Sequence, residues 1–184
     1  MNKKRQIQEA ALQLLVEKGI HAAPMSAIAT AAKTGMGTIY NYFENKEALI
    51  NAIYVDIKLQ EAAILEALFQ EQPIKTQFEL YYTTVIKFFV QRPLYFQFIE
   101  QLQASPIITA ESRDVGYKAI EPVTRLLRLG QSERIIKDIA VNELLQFLGG
   151  IILAHLRWHF GQKNSSSPSI IHNQLRMAWD AIKA

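Results

Sequence analysis

Apolar residues recur along this chain at helical spacing, and no stretch alternates apolar and polar over the length of a strand. Residues 3–18 place Ile7, Ala11, Leu14 and Leu15 on one face, and Gly19 ends the segment. A second, short helix is predicted from Pro24 through Met25, Ile28, Ala29 and Ala32. A break at Lys33-Thr34-Gly35 precedes a very short helix, Met36 to Phe43. Asn45 then reads as an N-cap with Glu47 in the first turn of the next helix. Longer helices are predicted over about 46–71, 74–91, 93–104, 109–129, 139–160 and 168–183, with Gly116 and Pro122 as candidate bends. The polar run 162–167 reads as a linker, with Ser167-Pro168 starting the last helix. The expectation is an all-α chain: a three-helix head over residues 1–48 and a six-helix body over 49–184.

Residues 25–43, MSAIATAAKTGMGTIYNYF, combine helix, tight turn and short helix behind a preceding helix. That is the layout of a helix-turn-helix, whose second helix enters the major groove of DNA. Ile39 and Phe43, four apart, would pack onto Ile28 and the first helix. Thr38, Tyr40, Asn41 and Tyr42 then face outward or sideways, offering hydroxyls and an amide to phosphates and base edges. Lys46 stands where its charge and the free N–H groups of a helix start can meet a phosphate. Gly37 removes side-chain bulk, so that backbone can approach DNA.

Residues 4–50 resemble the DNA-binding domain of TetR-family transcriptional regulators. The resemblance is carried by the helix ending at Gly19, by Ile28-Ala29 with Ala32, and above all by Gly37-Thr38-Ile39-Tyr40-Asn41-Tyr42-Phe43, Asn45-Lys46-Glu47 and Leu49. It implies DNA contacts by Thr38, Tyr40, Asn41, Tyr42 and Lys46, and a homodimer on a near-palindromic double-stranded operator. Beyond residue 50 it is architectural only. The chain departs from the family pattern at Lys33, where Gly is common, and at Gly35 and Met36, where Ser and Lys are usual. Gly35 still caps weakly, and Lys33 offers a phosphate contact at the turn. Met36 can touch a thymine methyl but cannot hydrogen-bond guanine. These departures bear on the operator, not on the fold.

Eight aromatic residues fall within 78–98: Phe78, Tyr81, Tyr82, Phe88, Phe89, Tyr95, Phe96 and Phe98. They either pack the body's core or line a cavity for an apolar or planar ligand. For the second case the candidates are Tyr81, Tyr82, Phe88, Phe89, Phe98, Gln101 and His155, with Glu79 and Glu100 as further polar groups. The resemblance implies that such a pocket holds an effector which alters the spacing of the two heads. The segment from Leu144 to Trp158 is apolar nearly all round, with Gly149-Gly150 at its middle allowing close approach of a partner backbone. With the last helix it is the expected dimer interface, at Leu148, Ile152, His155, Leu175 and Trp179.

Composition narrows the chemistry. The 184 residues include no cysteine, which excludes disulfides, thiolate metal sites and thiol redox sensing. The net charge of +3 is mild, but the first 50 residues hold six basic and four acidic side chains. Lys3, Lys4 and Arg5 are either an arm to the DNA backbone or a solvated terminus. No nucleophile motif, carboxylate dyad or phosphate-cradling Gly loop is present, so neither an enzyme nor a cofactor is expected. His155 and His159 have chelating spacing but no evident third ligand, so no metal is assigned. The N-terminal segment is amphipathic and no apolar run is long enough to span a bilayer, which points to the cytoplasm. The expected function is a ligand-released repressor. The same head without a small ligand, or a metal-responsive body, are the alternatives.

Overall fold

The computed structural model describes residues 2–68, 72–103, 105–161 and 168–184. Among these there are ten helices: α1 (Lys3–Lys18), α2 (Met25–Ala31), α3 (Met36–Tyr40), α4 (Lys46–Glu66), α5 (Ile74–Val90), α6 (Pro93–Leu102), α7 (Ala110–Ala119), α8 (Glu121–Ser132), α9 (Val141–Gly161) and α10 (Pro168–Ile182). No described helix is long and apolar enough to cross a membrane. The predicted linker 162–167 lies outside the described residues.

Among the described residues seven helices follow α3, where six were expected. The segment expected as one helix over about 109–129 breaks at Ile120, whose φ of −100° and ψ of 9° leave the helical region. Pro122, in the first turn of α8, has no N–H to continue the α7 ladder. Helix α7 runs through Gly116 without a break. A side chain there would run into the Tyr54 hydroxyl, so the glycine lets α4 and α7 approach.

The helices group into two compact units. The first comprises Met1–Gln60 and Arg92–Gly116. Asn2 caps α1 by accepting from the Lys4 N–H at 3.0 Å, and Gly19 ends it at a φ of 90° that side-chain-bearing residues rarely adopt. Ile7, Ala11 and Leu15 of α1 are buried, as are Ile28 of α2, Ile39 of α3, Ile50 and Ile53 of α4, and Phe98 and Leu102 of α6. Helix α1 packs on both α2 and α6. Asn45 caps α4 by accepting from the Ala48 N–H at 2.8 Å.

The second unit comprises Glu61–Gln91 and Tyr117–Ala184. Helix α5 is its centre, packed against α8, α9 and α10. Phe78 lies 5.3 Å from the Trp179 ring and is flanked by Tyr81 and Tyr82. Gly130 of α8 leaves room for Ile136 and Ile74. Backbone bonds from Lys137 N–H to Ile182 O and from Ala184 N–H to Ile135 O, each 2.9 Å, clip the α8–α9 loop to the end of α10.

Candidate nucleic-acid interface

The turn between α2 and α3 is built by its amides. Thr34 N–H reaches Ala29 O at 3.0 Å and Lys33 N–H reaches Thr30 O at 3.1 Å. This is the Schellman pairing, which requires a left-handed residue after the helix. Lys33 takes that place with φ 48°. Glycine is the usual occupant, because a Cβ crowds the following carbonyl there.

Gly35 opens α3 in extended conformation without a side-chain cap. Ile39 and Phe43 point inward and are buried together with Ile28. The remaining surface is exposed: Tyr40 at 49% and Tyr42 at 44%, with Asn41, Gly35 and Gly37 exposed and Met36 and Thr38 half-buried. Helix α3 is only five residues long, although Phe43 N–H still bonds Ile39 O at 2.9 Å and carries the turn onward. Thus Lys33, Gly35, Met36, Gly37, Thr38, Tyr40, Asn41 and Tyr42 sit along the turn and the exposed side of one short segment.

Lys46 stands at the start of α4, as expected, and has a partner within the chain. Its ammonium donates to His21 O at 3.0 Å, tying the α1–α2 loop to the start of α4. Partial desolvation also holds its pKa below the ordinary lysine value. Lys3, Lys4 and Arg5 form the first turn of α1 rather than a free arm. Lys3 bonds Gln6, Arg5 pairs with Glu9, and Lys4 lies 5.8 Å over the Phe43 ring.

Two amides that fix this unit have no sequence signal. Gln101 of α6 accepts from Ile20 N–H at 3.1 Å and donates to Val16 O at 3.2 Å, closing the C-terminus of α1. Asn51 of α4 donates to Ile107 O at 2.9 Å and accepts from Thr109 N–H at 3.0 Å, holding the α6–α7 loop. Gln101 is among the pocket candidates as a polar contact for a ligand. Its amide is committed to α1 instead.

The seven pocket candidates do not share a unit. Phe98 and Gln101 belong with the helix-turn-helix, whereas Tyr81, Tyr82, Phe88, Phe89 and His155 belong to the second unit. Glu79 is partly exposed and lies 3.8 Å from Lys75. Within the second unit, the Tyr82 hydroxyl and both His155 ring nitrogens are buried and have no hydrogen-bond partner. Burial pushes the Tyr82 pKa up to about 12 and Tyr81 further, the latter with help from Glu61. Burial, followed by the neighbouring His159, lowers that of His155. Both orphaned groups are therefore neutral at pH 7.

The five interface candidates are turned inward. Leu148, Ile152, His155, Leu175 and Trp179 are all buried by the chain's own helices, so the surface α9 offers outward is a different one. It carries Phe147 at 43% and Trp158 at 40% exposure, with exposed Gly150 and Ala154 between them.

A short helix with an exposed side, carried behind a tight turn and anchored on the buried faces of two others, defines a helix-turn-helix protein. Residues 7–53 match the description "Bacterial regulatory proteins, tetR family". The chain is 30% identical over 132 residues to the HTH-type transcriptional regulator UidR of Escherichia coli K12, covering 69% of this chain and 65% of that one. It is 37% identical over 62 residues to the regulator YvkB of Bacillus subtilis, 34% of this chain and 33% of that one. Like YvkB, the other Bacillus subtilis relatives are matched over a third of their length or less. Among solved structures, a tetR family transcription regulator from Shewanella sp. PV-4 matches the whole of both chains, with TM-score 0.88 and 22% identity. FadR of Bacillus subtilis, solved in complex with stearoyl-CoA, covers 97% of this chain and 98% of that one, with TM-score 0.80 and 22% identity. Residues 7–53 thus carry a TetR-family DNA-binding domain, and the proteins the chain matches are regulators rather than enzymes.

Proposed function

We propose that this chain is a cytoplasmic, homodimeric, sequence-specific DNA-binding repressor, released from its operator by a small apolar or aromatic effector. Residues 1–48 would read DNA and residues 49–184 would dimerise and bind the effector. The reading rests on one observation above others: the α3 segment leaves Tyr40, Asn41 and Tyr42 exposed and Thr38 half-exposed while Ile39 and Phe43 anchor it. An anchored helix with hydrogen-bonding groups on its free side is what major-groove docking requires. Lys33, exposed at the turn, supports a phosphate contact.

The effector half of the reading is supported by the orphaned Tyr82 hydroxyl and His155 imidazole. Leaving buried polar atoms unpaired costs about 1–3 kcal/mol each, which a ligand's polar group would offset. FadR, solved with stearoyl-CoA, is a chain of this fold carrying a ligand with a long apolar tail. Release would follow from linkage: a ligand preferring one head spacing weakens binding to DNA that prefers another. The dimer half is supported by the exposed stripe of Phe147, Gly150, Ala154 and Trp158 on α9.

The deciding experiment is the double variant Thr38→Ala, Tyr42→Ala. Specific binding to a selected operator should disappear in a mobility-shift assay while the melting curve stays that of the parent. Binding equal to the parent would remove these residues from the interface.

A further inference from the structure

We infer that α3 selects its operator through thymine methyl groups, met by Met36 and Thr38 on a helix that Gly37 allows to sit close against the bases. This rests on the DNA-binding reading above and names the base chemistry that reading leaves open.

No basic side chain occurs from Gly35 to Asn45. Guanine is read chiefly by Arg or Lys reaching O6 and N7 together, so α3 lacks its usual bidentate readers. The cations around it sit off the helix, and Lys4 of α1 lies over the Phe43 ring. Lys33 lies on the preceding turn, and Lys46 is engaged with the His21 carbonyl. Both are placed for backbone or internal contacts, which carry no base information. The residues of a recognition helix that reach base edges are those of its N-terminal part. Here these are Met36, Gly37 and Thr38, which offer a thioether methyl, a bare backbone and a hydroxyl beside a methyl group.

The glycine points the same way. A Cβ at Gly37 would meet nothing within 4 Å, and its backbone is ordinary helix, so neither packing nor conformation within the chain calls for glycine. Glycine also weakens a helix of five residues. What it alone provides is outward room, allowing the helix axis to approach whatever the exposed side meets. Close approach is what contact with a methyl on the groove floor demands, because dispersion and apolar burial fall off within an ångström or so.

The test uses the full chain and an operator selected from a random duplex pool. Thymines of that operator are replaced one at a time by uracil, which lacks only the C5 methyl, and affinity is read by fluorescence anisotropy. At one or more positions per half-site the affinity should fall about three- to tenfold. Met36→Ala should weaken binding to the thymine operator and lose its discrimination between thymine and uracil at one of those positions. Gly37→Ala should melt no lower than the parent yet bind at least about tenfold more weakly. Tolerance of uracil at every position, or undiminished binding by Gly37→Ala, would overturn the inference while leaving DNA binding intact. A pool that yields no selected duplex would overturn the DNA-binding reading itself, and this inference with it.

Discussion

Lys33 holds a backbone conformation that disfavours any residue with a Cβ, by about 1–2 kcal/mol relative to the right-handed region. Nothing among its described contacts compensates, since the Schellman amides would form equally well around glycine. Lys33→Gly should therefore raise stability by about 1 kcal/mol, part of the relief being offset by the greater freedom of glycine in the unfolded chain. For a chain of this length that is a rise of ~2–4 °C in melting temperature. The same change should weaken DNA binding and reduce the slope of log affinity against log salt by about one for each head in contact. An unchanged salt slope would mean that the lysine does not touch phosphate. The departure at Lys33 was visible in the sequence, but its strain was not. A turn that takes lysine comfortably and one that tolerates it look alike until φ is known. The amides of Gln101 and Asn51 were less legible still. Each bonds backbone groups more than fifty residues away, and no local pattern reports such a pair.

At the scale of the element, α9 shows what hydrophobic pattern conveys and what it omits. Its near-continuous apolar content points to burial on most sides, but within the chain only one face is buried, that of Leu144, Leu148, Ile152, His155 and Leu156. The pattern does not say which face the chain buries itself and which it leaves exposed, because both are apolar. His155 lies on the inward face with neither nitrogen satisfied and with its pKa lowered by burial and then by His159. In the unfolded chain the imidazole accepts a proton near its ordinary value of 6.5. In the folded chain it resists until lower pH. Stability is therefore full above about pH 6.5 and declines as the pH falls below it, because protons bind the unfolded state preferentially. His155→Leu removes both orphaned nitrogens and this titration. It should raise the melting temperature at pH 7 by several degrees and flatten its decline between pH 7 and 5. If His155 also meets the effector, the more stable variant should respond less to it. A variant with a lower melting temperature and an unchanged pH profile would show that the imidazole is satisfied after all.

At the scale of the molecule, the exposed stripe on α9 bears on how a mildly charged chain could hold DNA tightly. Of the six cations in the first 50 residues, Arg5 pairs with Glu9 and Lys46 donates to the His21 carbonyl, and α3 itself carries none. One head alone should thus bind weakly and with little salt dependence. Joining two heads makes the second contact intramolecular and multiplies the affinity by about 10²–10⁴ without adding a contact type. Dimerisation would then supply most of the operator affinity, and the interface becomes testable through DNA. Gly150 is the position to change, since it is exposed on α9 and a side chain there would meet nothing within the chain. Gly150→Arg should leave the fold intact, and replacing a mid-helix glycine should favour α9. It would place bulk and charge between Phe147 and Trp158, where a partner backbone would approach. Sedimentation should then show a monomer, and affinity for the two-half-site operator should fall by about 10²–10⁴ towards that for an isolated half-site. A variant that remains dimeric and keeps its affinity would move the interface off this face of α9. A monomer that keeps its affinity would mean that one head suffices, and the weakness inferred from its cations would be wrong.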